Sequence, residues 1–382
     1  SLGVREAAHA VFRADPLATG VGLGVTYAVA VFVTPPLALA HEEWHLAALR
    51  EGGVTGTDRF WQGEVVDVAD QELVRFKATD PAGLVRAQAA GLELQDTVVR
   101  RLSDDAFLYA PDAAHLGPLD LMGTWTAPHL QYAELNSWNY LRFCSSGQTD
   151  DVVAYVEGVE GGPRDRDFTG PDCTAWVRDL LRPDEPYAAR GPHASGTGIG
   201  RYVAFADLTP DEQALLRTQT RLHWLELANP HLFGVDRIRL GDASVTASLQ
   251  HWLTPYGYAV DLHGGLRPAH GPATLVTLRA GVSDGQLQPA VEARLVDLAL
   301  TDALSLDAGL EAWLQPQALR WGAPSRPGGR LSLQASWRTG RLAPWIGVDA
   351  KSAGWSPGLA ALDPAVYLRA GATAWLGRPA AP

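Results

Sequence analysis

From residue 236 onward the chain alternates apolar and polar residues with a period of two. Leu304, Leu306, Ala308, Leu310, Ala312 and Leu314 fall on one side; Ser305, Asp307, Gly309, Glu311, Trp313 and Gln315 fall on the other. Leu331, Leu333, Ala335 and Trp337 likewise oppose Arg330, Ser332, Gln334, Ser336 and Arg338. Side chains of a strand point alternately to its two faces, so this span reads as a series of strands. Eight are expected, at about 243–253, 257–267, 274–283, 286–299, 303–315, 329–339, 342–353 and 365–376. Their connections carry turn residues, as in His270-Gly-Pro272 and Arg326-Pro-Gly-Gly329.

Alternation alone does not say which face is inside. A soluble barrel hides its apolar face, whereas an outer-membrane barrel shows it to lipid and keeps charge in the lumen. Strands near ten residues long favour the membrane case. So do Trp252, Tyr256, Tyr258, Trp321, Trp337, Trp355 and Trp375, which cluster near strand ends as an interfacial girdle would. The polar face carries both signs (Glu292, Arg294, Asp307, Glu311, Arg330, Asp349, Lys351), which suits pairing across a narrow lumen. In this pattern the segment 236–377 resembles the small eight-stranded outer-membrane barrels. That resemblance implies membrane lipid around the barrel.

The N-terminal part has a different character. Helices are expected up to Pro16, at Ala82–Leu102, at about Pro128–Phe143 and at Cys173–Leu181. Another starts at Thr209-Pro210-Asp211-Glu212, with a cap, a proline at the first position and acids in the first turn, and runs to about Ala228. Residues 52–81 are β-prone, and Asp151–Gly170 and 183–200 read as loops. The uncharged run Leu17–Ala40 is long enough to span a bilayer, but its glycines and Pro35-Pro36 equally suit a buried helix or a strand followed by a helix. The expected fold class is therefore α+β: a mainly α-helical domain over 1–235 and an antiparallel β-barrel over 236–382.

The chemistry concentrates in Leu37–Glu51. Pro35-Pro36 opens this helix and Gly52-Gly53 ends it. His41 and His45 lie one turn apart on one face, with Glu42 beside them. This is the HExxH pattern: two neutral imidazoles for a tetrahedral Zn2+ and a carboxylate poised to take a proton from its water. The apolar surroundings place the charged triplet partly inside, where charge needs a partner.

The stretch Leu37–Glu51 resembles the active-site helix of the zincin metallopeptidases. The resemblance implies His41 and His45 as metal ligands, Glu42 as general base, and a peptide or protein substrate attacked by metal-activated water. The metzincin subclass needs a further His after His45 at fixed spacing, which His45-Leu-Ala-Ala-Leu-Arg-Glu-Gly-Gly lacks. In the gluzincin kind the third ligand is a Glu on a later helix. Glu93 is the best candidate, 93 − 45 = 48 residues downstream, with Gly91 to let two helices approach and Asp96 to orient a ligand. His115, His129, His193 and His223 are rival third ligands. Tyr132, Tyr140, His193, Tyr202 and His223 are candidate donors to a developing oxyanion.

With a net charge of −12, nothing suggests nucleic acid, because phosphate binding needs clustered Lys and Arg, and no nucleic-acid partner is expected. Cys144 and Cys173 have no CxxC neighbour; they form either one disulfide in an oxidising compartment, the favoured reading, or two buried thiols. Ser1 without a methionine fits a removed signal peptide and hence export to the bacterial outer membrane. The glycine-rich Ser195–Gly200 reads as a loop rather than a phosphate cradle. A di-iron site is disfavoured, because Glu42-x-x-His45 has no second copy on another helix. The non-enzymatic alternative is an outer-membrane barrel whose helical part serves as a plug or scaffold.

Overall fold

The computed structural model describes residues 34–58, 66–109, 135, 137–159, 162–164, 166–233, 235, 237–339 and 342–374. Its helices are α1 (Thr34–Glu51), α2 (Asp70–Thr79), α3 (Pro81–Tyr109), α4 (Gln148–Val159), α5 (Asp172–Leu181) and α6 (Pro210–His223), with a further helical stretch at 137–144. A small ladder pairs β1 (Gly56–Asp58) with β2 (Val66–Val68). Strands β3 (Ile238–Leu240), β4 (Ala243–Thr254), β5 (Gly257–Arg267), β6 (Ala273–Ser283), β7 (Gln286–Ala299), β8 (Leu304–Pro316), β9 (Ser325–Trp337), β10 (Leu342–Lys351) and β11 (Ala365–Ala374) follow. They form one antiparallel meander in sequence order. The protein is thus α+β, with helices first and the sheet last.

All eight expected strands are present, and β3 is an addition. The expected closed barrel is not seen: among the described residues the sheet ends at β3 and β11. In a nine-stranded meander the two outermost strands run in the same sense, so β3 and β11 cannot pair antiparallel with each other. Beyond β3, the edge of β4 is capped by side chains, with Leu249 N donating to Asn229 Oδ1 (2.6 Å) and His251 N to Glu226 Oε1 (2.5 Å).

The sheet exposes its apolar face and buries its polar one. Val276, Ala293, Leu310, Leu331, Ala350 and Val366 pair across six strands, and all are exposed. One residue along, His263, Thr277, Glu292, Glu311, Arg330 and Lys351 pair across the same region on the other face, and most are buried. That polar face is occupied by α3. Asp104 of α3 accepts from His263 Nε2 (2.7 Å) and Arg294 Nη1 (2.9 Å), and Arg100 donates to Thr277 Oγ1 (2.8 Å) and pairs with Glu292. Next to them Arg279 grips Asp261 with two 2.8 Å bonds and Glu311 with one at 2.9 Å. Buried charges are tolerated here because each has a partner. The two-residue hairpin Asp284-Gly285 (φ 48° and 71°) between β6 and β7 has the left-handed pair that matches strand twist.

Other expectations are revised. Trp252, Tyr256 and Trp355 do not form a girdle; they are fully buried, packed with Ala82, Ala259 and Leu319 where α3 enters the sheet. Trp337 is exposed at a strand end, and Trp375 lies outside the described residues. Asp151–Gly170 contains most of α4, whose first turn carries Asp150 and Asp151, and the β-prone span 52–81 contains α2. Residues 1–16 and most of 17–40 lie outside the described residues. No helix among those described is long and apolar enough to cross a membrane. The helices pack around two clusters. Val85, Leu92, Trp176, Leu180 and Leu216 centre one, and Leu46, Leu49, Phe76, Leu84 and Phe168 the other.

Candidate metal centre

The α1 helix ends as its sequence requires. Val54 N reaches Leu49 O (3.0 Å), and Gly53 takes φ +69°. Upstream, His41 and His45 face α3, their ring centroids 4.7 Å apart. Close approach depends on Gly91: a Cβ there would lie 2.2 Å from His41 Nε2. His45 Nδ1 lies 2.6 Å from Ala87 O. Since a carbonyl only accepts, Nδ1 carries a proton and Nε2 is the atom turned toward Asp172 and available to a metal.

The third member is Asp172, the first residue of α5. Its Oδ2 lies 3.2 Å from His41 Nε2 and 3.4 Å from His45 Nε2. The His45 and Asp172 side chains are almost fully buried and that of His41 is 11% exposed, and this group could hold a metal ion. For these two pairs the spacing fits, since with bonds of about 2.0–2.2 Å a tetrahedral ion sets neighbouring ligand atoms about 3.3–3.6 Å apart; all three ligand atoms lie within 4.8 Å of one another. Tyr140 Oη donates to Asp172 Oδ2 (3.1 Å) and its ring stands edge-on to His41, centroids 5.9 Å apart. The Cys144–Cys173 disulfide joins the helical stretch bearing Tyr140 to the residue after Asp172.

Electrostatics match a cation site. Burial works to raise Asp172, yet His45 and His41 hold it well below the usual carboxylate range. Burial lowers His45, but Asp172 and Glu42 more than compensate and bring it to about 9. Burial, then the Asp172 charge, pushes Asp167 up to about 7, against His45 and the Phe168 and Gly170 amides. Glu42 is half-buried, and its charge is felt at both His45 and Tyr140.

Glu93 does not join the His pair. Its carboxylate accepts from Arg86 Nη2 (3.0 and 3.2 Å), Trp355 Nε1 (3.0 Å), Gly358 N (3.0 Å) and Trp44 Nε1 (3.4 Å). Two residues of helix, about 200° of rotation, set this register: Gly91 faces His41, so Glu93 points the other way, to Trp355 and Gly358. Asp96 Oδ1 accepts from Ser137 Oγ (3.0 Å) rather than orienting a ligand. His193 Nδ1 bonds Ser195 Oγ (2.9 Å), and His223 Nδ1 sits 3.2 Å from His251 Nδ1, so neither is drawn into the centre. His115, His129 and Tyr132 lie outside the described residues. Asp172 went unnoticed in the sequence, 131 positions from His41. Its one local signal is its place just after Gly170-Pro171, at the start of a helix.

Comparison with protein-family models gives no match, and comparisons with curated proteins and with solved structures give none either.

Proposed function

We propose that the chain is a zinc-dependent peptidase held in the bacterial outer membrane by its sheet. The observation that carries the catalytic part is the convergence of His41, His45 and Asp172 on one point, with the tautomer of His45 fixed by Ala87 O. Two imidazoles and one carboxylate suit zinc, and three protein ligands leave a fourth position open. A zinc ion bound there supplies a Lewis acid that makes water a nucleophile at neutral pH. The chain's own residues do the rest. Glu42, one residue from a ligand, takes and returns the proton; Tyr140 holds Asp172 through its hydroxyl and stands against His41. Membrane attachment is supported by the apolar ladder exposed on one face of the sheet and the paired charges buried on the other. The disulfide is compatible with export.

Metal analysis and hydrolysis of peptides by the purified protein test this. One zinc per chain is expected, lost in His41→Ala and Asp172→Ala. Glu42→Gln keeps the zinc and loses hydrolysis. Metal-free protein of unchanged stability would overturn the peptidase in favour of a helical plug or scaffold.

A further inference from the structure

The long helix α3 fixes how high the metal centre sits above the sheet. Two to three turns into it, past Ala82, Gly91 touches His41 and Ala87 O accepts from His45. Nine residues later Arg100 bonds Thr277 and Glu292, which lie at the middles of β6 and β7. At 1.5 Å per residue that separation is about 13 Å, an upper bound on the height if the helix is inclined. The apolar band of an outer-membrane sheet is about 25 Å tall, so its half-height is about 12 Å. The far half of the band is spanned in the same way: Leu108 O accepts from Arg267 Nη1 (2.6 Å) at the opposite strand end. The metal centre therefore lies within about 13 Å of the sheet's mid-height along α3, beside the exposed apolar face rather than in a domain held away from it.

We infer that this centre works at the membrane–water boundary and that its substrates are polypeptides anchored in the same membrane, cleaved close to the bilayer surface. The inference rests on the peptidase and membrane readings above and adds the depth of the site and the class of substrate. A site at headgroup level is flanked by lipid, which obstructs a bulky soluble protein. An anchored chain, confined to the same thin layer, meets it at a high effective concentration.

Depth is measured without catalysis. All described cysteines are disulfide-bonded, so an introduced cysteine takes a fluorophore selectively. Glu43→Cys, on the exposed side of α1, and Val291→Cys, on the exposed face of β7, are labelled in protein reconstituted into phosphatidylcholine–phosphatidylglycerol vesicles. Lipids quenching near the headgroup should quench the Glu43 probe several-fold more than lipids quenching at the acyl-chain end, and the order should reverse for Val291. Leu310→Cys replaces Val291→Cys should that variant misfold. A Glu43 probe untouched by any lipid quencher overturns the inference. With zinc-loaded protein, a peptide carrying an acyl anchor should be cleaved at least ten-fold faster than the same peptide without one. Equal rates overturn the substrate class and leave the peptidase standing. Cleavage of neither peptide counts against the peptidase, and the quenching result then stands or falls by itself.

Discussion

Replacing Gly91 by alanine adds one methyl group at the point where α3 meets the metal-binding helix. The new Cβ would stand 2.2, 2.3 and 2.4 Å from Nε2, Cε1 and Cδ2 of His41. Ordinary contact begins at 3.4 Å, so the imidazole or the helix must retreat by about 1.2 Å. Metal–ligand distances tolerate about 0.2 Å. Zinc affinity in Gly91→Ala should therefore fall by about 100-fold or more. Folding should lose no more than about 2 kcal/mol: alanine favours the helix by about 1 kcal/mol over glycine, against an overpacking cost of about 1–3 kcal/mol. Competition with a chromogenic chelator measures the affinity, and denaturant unfolding of the metal-free protein measures the stability. Gly158→Ala in α4 is the control, since nothing lies within 4 Å of its Cβ position and affinity should not move. Wild-type zinc affinity in Gly91→Ala would refute the placement of His41 Nε2 as a ligand atom.

Three other perturbations separate structural from metal-binding roles. Glu93→Ala leaves Arg86 buried without its carboxylate, so unfolding free energy should drop by about 3–5 kcal/mol while the folded protein still binds zinc, as metal titration of the variant would show. Cys144→Ser/Cys173→Ser opens a loop of 29 residues and should cost about 3–4 kcal/mol in denaturant unfolding. Acid should destabilise the fold through His223, which burial lowers to about 3, beside His251 and Glu226. The unfolded chain takes up this proton below about pH 6.5 and the folded chain does not. Stability is then full above that pH and falls as pH drops, by about 2 kcal/mol at pH 5, levelling near pH 3. Unfolding of His223→Gln should lose that part of the pH dependence.

The strands were legible because a sheet with one apolar and one polar face prints its period on the sequence, and the turns His270–Pro272 and Asp284-Gly285 mark where it pauses, whereas Arg326–Gly329, expected as a connection, is the paired start of β9. The motif helix was legible from His41, His45 and its glycine stop. What could not be read was tertiary. Asp172 reaches the histidines only because α5 packs on α3, a long-range contact without a local pattern. Glu93 carried the spacing expected of a ligand, yet the register set by Gly91 turns it toward Trp355 and Arg86. Aromatics near strand ends looked like a girdle, but on the inner face the same residues, Trp252 and Trp355, are core. Whether the sheet closes depends on pairing between its outermost strands, β3 and β11, a long-range contact that no local pattern reports.

The charges that α3 carries into the sheet have a consequence for how the chain can be taken apart. Asp104 answers His263 and Arg294, Arg100 answers Glu292, and Glu93 answers the indole of Trp355, each across the boundary between helical and strand halves. A strand half expressed alone would strand those partners in a dry interior, and a helical half alone would display the matching ions with nothing opposite. The two halves are thus a lock and its bolt rather than beads on a string. A graft of this metal-binding segment onto another scaffold would have to bring its own sheet with it.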